Sequence, residues 1–147
     1  MEVEIARQIA RRVHDGQVNR SGEPVIEHLE RVAEAVPVEA RALAYLHDVL
    51  EWSDATASEL HICGLSVAEC SALQLLTRSG GERYQTYIER IAGAGGIEGR
   101  LARTIKLADL DDHLAHPGPG QAPDYAWARA MIVDSQESHR ARGVLAS

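Results

Sequence analysis

Several things are scarce or missing in this chain of 147 residues, and each absence narrows what it can be. No apolar run reaches the roughly 18 residues that a membrane span needs. The N-terminus, "MEVEIARQIARR", begins acidic and lacks the basic-then-apolar order of a signal peptide. Basic residues are outnumbered, with 15 Lys and Arg against 22 Asp and Glu and a formal net charge of −7. That balance argues against a general nucleic-acid binder, which needs clustered cations on phosphate. It leaves room for a small anionic ligand, because one metal ion inverts the sign of a local site. The two cysteines, Cys63 and Cys70, form no CxxC pair, so a reduced, cytoplasmic setting with packed thiols is expected. "GAGG" lacks the Lys-Ser/Thr of a phosphate-binding loop, and no Gly-x-Ser-x-Gly or Cys/His nucleophile pattern occurs.

Strand patterning is also missing, and helical periodicity fills nearly the whole chain. Ile5, Ala6, Ile9, Ala10 and Val13 share one face of a first helix, and Ile26, Leu29, Val32, Ala33 and Val36 mark a second that opens near Pro24. Pro37 ends it, and "EARALAYLHDVLEW" reads as one continuous helix. Thr56 to Glu59 and Ser66 to Glu69 are capping boxes that open two more helices. "ERYQTYIERIA", "IEGRLARTIKLADLDDHLA" and "DYAWARAMIVDSQESHR" complete the set, with "HPGPGQAP" too rich in Pro and Gly to be helical. The expectation is an all-α single domain over residues 1–147, with about seven to eight helices.

Within this apolar pattern some groups are out of place: His28, the adjacent His47 and Asp48, and Asp109. A carboxylate on a core face needs a partner, since an isolated buried charge is costly. Imidazoles and carboxylates from three helices are a donor set for a divalent first-row ion, typically octahedral with water in the open positions. Glu51 lies one turn beyond His47 and Asp48, within reach of a water on such an ion, where a carboxylate can orient it or take its proton. The bland alternative is a satisfied core histidine and an Asp109 paired with Lys106 or Arg103.

The fragments "HDGQ", "SGEPVIEHLERVA", "ALAYLHDVLE", "TASELHICG", "LTRSGGERYQTYIERI" and "IKLADL" run in order from about His14 to Leu110. With them the chain resembles the HD-domain metal-dependent phosphohydrolases, in particular the RelA/SpoT-type (p)ppGpp hydrolase branch and its small stand-alone alarmone hydrolases. The resemblance implies an all-α HD fold and one Mn²⁺ held by His28, His47, Asp48 and Asp109. It also implies cleavage of the 3′-pyrophosphate of a guanosine alarmone by a metal-bound water. A small nucleotide is then the partner, with neither nucleic acid nor membrane. Fe²⁺, Co²⁺, Ni²⁺ and Zn²⁺ suit the same donors.

The chain departs from the family pattern at four places. Trp52 stands where the family carries an Asp beside Glu51; an indole offers one donor and no acceptor, so it can wall the pocket, stack on a base or pack, but not act as a base. His113 stands where an Asn is usual, and is expected either to donate a proton to the leaving group or to lie in an acidic surface turn with Asp111 and Asp112. Asn19 occupies a basic slot, with Arg20 beside it as the expected phosphate clamp, helped by Arg78 or Lys106. Val25 replaces an aromatic residue. Tyr84 and Tyr87 are expected in the core, Tyr125, Trp127 and Arg129 near the nucleotide side, and His14, His61, His116 and His139 in exposed or structural positions. Two further readings stay open: a phosphatase of another nucleotide or phosphorylated cofactor of NADPH type, and a metal- or nucleotide-binding module without turnover.

Overall fold

A computed structural model describes residues 1–146, with side chains through Gly143. The described chain is all-α: α1 (Val3–Val13), α2 (Val25–Ala35), α3 (Val38–Leu46), α4 (Val49–Trp52), α5 (Ala57–Ile62), α6 (Val67–Leu76), α7 (Tyr84–Gly93), α8 (Gly96–Ala115) and α9 (Tyr125–Ala146). Among these residues there is no strand; a lone bridge between Val18 and Pro24 folds the loop before α2 back on itself. No described helix is long and apolar enough to cross a membrane.

Local chemistry accounts for four of the helix starts. Thr56 and Ser66 each accept the backbone N–H of the glutamate three residues on, whose carboxylate bonds back to the cap, so both capping boxes form. Pro24 and Pro37 sit immediately before α2 and α3. On α1 the inward stripe differs slightly from the expected one: Ala6 and Ala10 are fully buried while Ile5 is 43% exposed.

One element departs from the pattern expected of the sequence. "EARALAYLHDVLEW" is not a single helix; it breaks at His47 and Asp48 into α3 and α4. The Ala44 carbonyl, which would bond the Asp48 N–H in an uninterrupted α-helix, instead accepts from His47 Nδ1 at 2.6 Å and from the His47 N–H at 3.4 Å. A side chain therefore competes for a backbone acceptor, and the helix restarts at Val49. Across the break His47 and Asp48 keep near-helical backbone angles, φ −64° and ψ −22° at His47 and φ −101° and ψ −3° at Asp48, so the turn loosens without a sharp change of chain direction.

Helix α8 is the axis of the packing, touching α2, α3, α6, α7 and α9. Its buried residues are Gly99, Ala102, Arg103, Ile105, Lys106, Asp109 and Leu110, a stripe at helical spacing that is nearly half polar. Arg103 is spent on helix ends, bonding the carbonyls of Ile91, Ala92 and Ala94 behind α7. Leu29, Leu43, Leu46, Leu73, Ile88, Ile91, Ile105 and Leu110 fill the interior around the stripe. Cys63 and Cys70 are free thiols, the first exposed.

A candidate metal centre at the floor of a cavity

Around Asp109 the polar part of the α8 stripe meets α2 and the α3–α4 break. Asp109 Oδ1 lies 2.9 Å from His28 Nε2, 3.2 Å from His47 Nε2 and 3.3 Å from His113 Nε2. Asp48 Oδ1 is 3.5 Å from His47 Nε2. The other Asp109 oxygen accepts from Lys106 Nζ at 2.8 Å. His28, His47 and Asp109 are each 3% exposed. The structure thus places His28, His47 and His113 around Asp109 Oδ1, with Asp48 reached through His47.

The hydrogen bonds of the far ring nitrogens set what faces the centre. His47 Nδ1 donates to the Ala44 carbonyl, and His28 Nδ1 donates to Asp112 Oδ2 at 2.6 Å. In each neutral ring the remaining nitrogen, Nε2, carries a lone pair, and both point at carboxylate oxygen. Acceptors facing acceptors in a buried space require a cation between them, either protons on the rings or a metal ion. The ring charges follow this need. Burial opposes charge on His28, yet its bonds to Asp109 and Asp112 outweigh it and raise its pKa to about 10. Burial also opposes charge on His47, and the charges of Asp48 and Asp109 raise it. Asp109 is desolvated too, but Lys106 and the three imidazoles hold its carboxyl well below the usual range.

The donor set fits a divalent ion. Neighbouring ligands on an octahedral ion with bonds of about 2.1 Å stand about 3 Å apart, close to the spacings of 2.9 to 3.5 Å seen here. The donor atoms of His28, His47 and Asp48 lie within 4.8 Å of one another, as do those of His28, Asp109 and His113.

Behind the ligands is a support that sequence reasoning missed. Asp112, named from the sequence only as a companion of His113 in one of its two readings, an acidic surface turn, has a side chain just 10% exposed. It accepts hydrogen bonds from His28 Nδ1 on one side and from Arg31 on the other, with Arg31 Nε at 2.6 Å and Nη2 at 3.0 Å. Arg31 continues to Glu23 in the loop before α2. Burial works against the Asp112 charge, but His28 and Arg31 hold its pKa below the usual range. A signal was present: Arg31 follows His28, and Asp112 follows Asp109, by three residues, one helical turn on the same face.

The cluster forms the floor of a cavity of about 420 Å³, within the range of small-molecule sites. Tyr84, Tyr87, Tyr125 and Trp52 stand in its walls, and Arg20, Arg78 and Lys106 line it together with the carboxylates of Asp48, Glu51 and Asp109. Trp52 is 49% exposed. Tyr125 is stacked on His113, with ring centres 4.7 Å apart and planes 10° from parallel. Glu51 lines the same cavity and accepts the Arg78 backbone N–H at 2.7 Å. Although open to the cavity, its carboxyl is desolvated by the surrounding protein, which raises its pKa; the Arg78 N–H opposes and the Asp48 charge adds.

Other expected substrate contacts are partly occupied. Asn19 lines the cavity, but its Oδ1 accepts from Ser21 N and Oγ and from Glu23 N, organising its own loop. Arg20 bonds the Gln121 carbonyl in the segment after α8. Lys106 is buried against Asp109 and the face of Tyr87. Tyr87 is core, as expected, while the Tyr84 hydroxyl is buried without a partner. His14 is buried with Nδ1 on Gln17, His61 and His139 bond nearby carbonyls, and His116 sits over Asp112.

The fold and the cluster define an all-α protein with a His/Asp centre able to hold a metal. No family model matches the chain, and no curated protein is recovered as its relative.

Proposed function

We propose that this chain is a divalent-metal phosphohydrolase of the HD type acting on a nucleotide, with Mn²⁺ as the expected ion and a (p)ppGpp-like alarmone as the expected substrate. The observation that supports the reading is the approach of His28 Nε2 and His47 Nε2 to Asp109 Oδ1, with Asp48 beside His47, at the floor of an aromatic-walled cavity lined by both arginine and carboxylate. The resemblance to the RelA/SpoT-type hydrolases supplies the substrate class.

A divalent ion there would supply Lewis-acid activation of water and of a phosphate oxygen. His28, His47, Asp48 and Asp109 would hold it, with Ala44 and Asp112 keeping both imidazoles in the binding tautomer. In hydrolysis of a 3′-pyrophosphate, the oxygen of water bonds to the phosphorus on the 3′ oxygen, and the bond between them breaks. Pyrophosphate and a 3′-hydroxyl result. Glu51, desolvated in the cavity, accepts the proton of water, and that proton balances the one the leaving oxygen takes up. Arg20 and Arg78, which bond the Gln121 and Glu82 carbonyls, line the cavity where phosphates would lie, and Tyr84, Tyr125 and Trp52 offer surfaces for the base.

The test is metal analysis of the purified chain together with phosphate and pyrophosphate release from a nucleotide panel with added Mn²⁺. About one ion per chain with pyrophosphate from guanosine tetraphosphate supports the alarmone reading. Release from another member, such as a phosphorylated dinucleotide, reassigns the substrate. Metal without turnover assigns a binding module, a reading that the exposed Trp52 at the mouth favours.

A further inference from the structure

Within the metal-centre reading, on which this inference rests, His113 has a place that the expected role of proton donor does not explain. It follows Asp109 by one turn of α8, and its Nε2 lies 3.3 Å from Asp109 Oδ1, the same oxygen that His28 and His47 approach. Its ring is 4.8 Å from that of His28, and Tyr125 covers its flat side. His28, Asp109 and His113 form a donor group in their own right, with atoms within 4.8 Å of each other. Its Nε2 is turned to Asp109, the carboxylate proposed to hold the ion, at the floor of the cavity.

We infer that His113 is a further ligand of the centre, giving it three imidazoles and shifting its preference toward late first-row ions such as Co²⁺, Ni²⁺ or Zn²⁺ and away from Mn²⁺. The shift follows from ligand chemistry: imidazole favours the later ions, whereas carboxylate and water suit Mn²⁺ and Mg²⁺. The Tyr125 stack is the positioning device. It limits rotation of a ring that is otherwise 31% exposed, so the nitrogen is pre-aimed before an ion arrives.

The experiment uses the full chain, stripped of metal, titrated with Co²⁺ and Mn²⁺ by calorimetry and followed by the visible absorption of bound Co²⁺. His113→Ala and His113→Asn are compared with wild type and with His61→Ala, which lies on α5 outside the cavity. The expected result is at least a tenfold loss of Co²⁺ affinity in both His113 variants, a smaller loss for Mn²⁺, and an altered Co²⁺ spectrum. Added imidazole should restore the spectrum of His113→Ala, which a purely structural role would not allow. Wild-type Co²⁺ affinity and an unchanged spectrum in both variants would overturn the assignment. If the wild-type chain itself takes up neither ion, the metal centre fails as well, and that result is distinct from loss in the variants alone. Thermal melts of the metal-free variants separate misfolding from ligand loss, and His113→Asn, the smaller chemical change, decides the outcome where His113→Ala unfolds.

Discussion

Removing the carboxylate of Asp112 should weaken metal binding without touching any proposed ligand. Asp112 accepts the Nδ1 proton of His28 at 2.6 Å, a short, charge-assisted bond that fixes the ring's tautomer and makes Nε2 more basic. In Asp112→Ala the ring loses both effects, and Arg31 keeps only Glu23 as an acidic partner. Loss of such a carboxylate behind a ligating histidine costs about 10- to 100-fold in metal affinity, or about 1.4 to 2.7 kcal/mol. Asp112→Asn should fall between, because an amide oxygen still accepts the proton but carries no charge. The control is Asp111→Ala, one residue away, whose half-exposed carboxylate pairs with Arg129 at the surface. A surface pair of this kind contributes about 0 to 1 kcal/mol to stability and has no route to the centre. The assay is competition for Mn²⁺ or Co²⁺ against a chromophoric chelator. Equal affinities for wild type, Asp112→Ala and Asp111→Ala would refute the idea that Asp112 sets the state of His28.

Further expectations concern the same region. His47→Ala or Asp48→Ala should abolish metal uptake and hydrolysis together, whereas Glu51→Gln should keep the metal and slow turnover; normal turnover in the latter would remove Glu51 from the mechanism. In the metal-free protein the fold raises the His28 pKa from 6.5 to about 10, so that contribution to stability is complete below pH 6.5 and disappears as pH climbs through about 10. Asp109 and Asp112 are shifted below 3.8, so their contribution is complete above that pH and is lost on acidification. Melting temperatures of metal-free protein should therefore decline from pH 6.5 toward 10, and a flat profile there would contradict the ion-pair account. Gly118→Ala places a Cβ 2.8 Å from the Arg20 backbone carbonyl, where the segment after α8 rests on the loop before α2. Overpacking of this kind costs about 1 to 3 kcal/mol, and a urea midpoint equal to wild type would show that the two segments do not rest on each other.

The parts of this structure that were legible in the sequence are those settled by near neighbours. Thr56 and Ser66 find their partners within one turn, and Pro24 and Pro37 act on their own backbone, so these boundaries could be read directly. The gathering of His28, His47, Asp48 and Asp109 could be anticipated because charges on apolar faces need each other. The break at His47 could not, since it depends on which nitrogen of a ring reaches Ala44, and that orientation is set by α8. Asp112 looked like surface because its helix neighbours Asp111 and His113 are polar; its partners are 81 and 84 residues away. The pinning of Asn19 inside its own loop was hidden for a different reason, as its carboxamide serves the turn rather than the cavity.

The position of α8 bears on how the molecule assembles. Lys106, Asp109, Asp112 and His113 lie within about two turns of one helix, yet they meet partners at His28 and His47, separated from Asp109 by 81 and 62 residues. The helices before α8 can form from local signals, but the centre closes only when this late segment docks, a long loop closure that is slow by the usual relation of rate to contact separation. Until then the chain has only the His28, His47 and Asp48 donors and lacks those of Asp109 and His113. An ion that binds only the docked state then pulls the equilibrium by mass action, adding about 2.7 kcal/mol at a concentration 100 times its dissociation constant. Under the proposed metal-centre reading, the ion would therefore act on folding as well as on chemistry, by stabilising the docked position of α8.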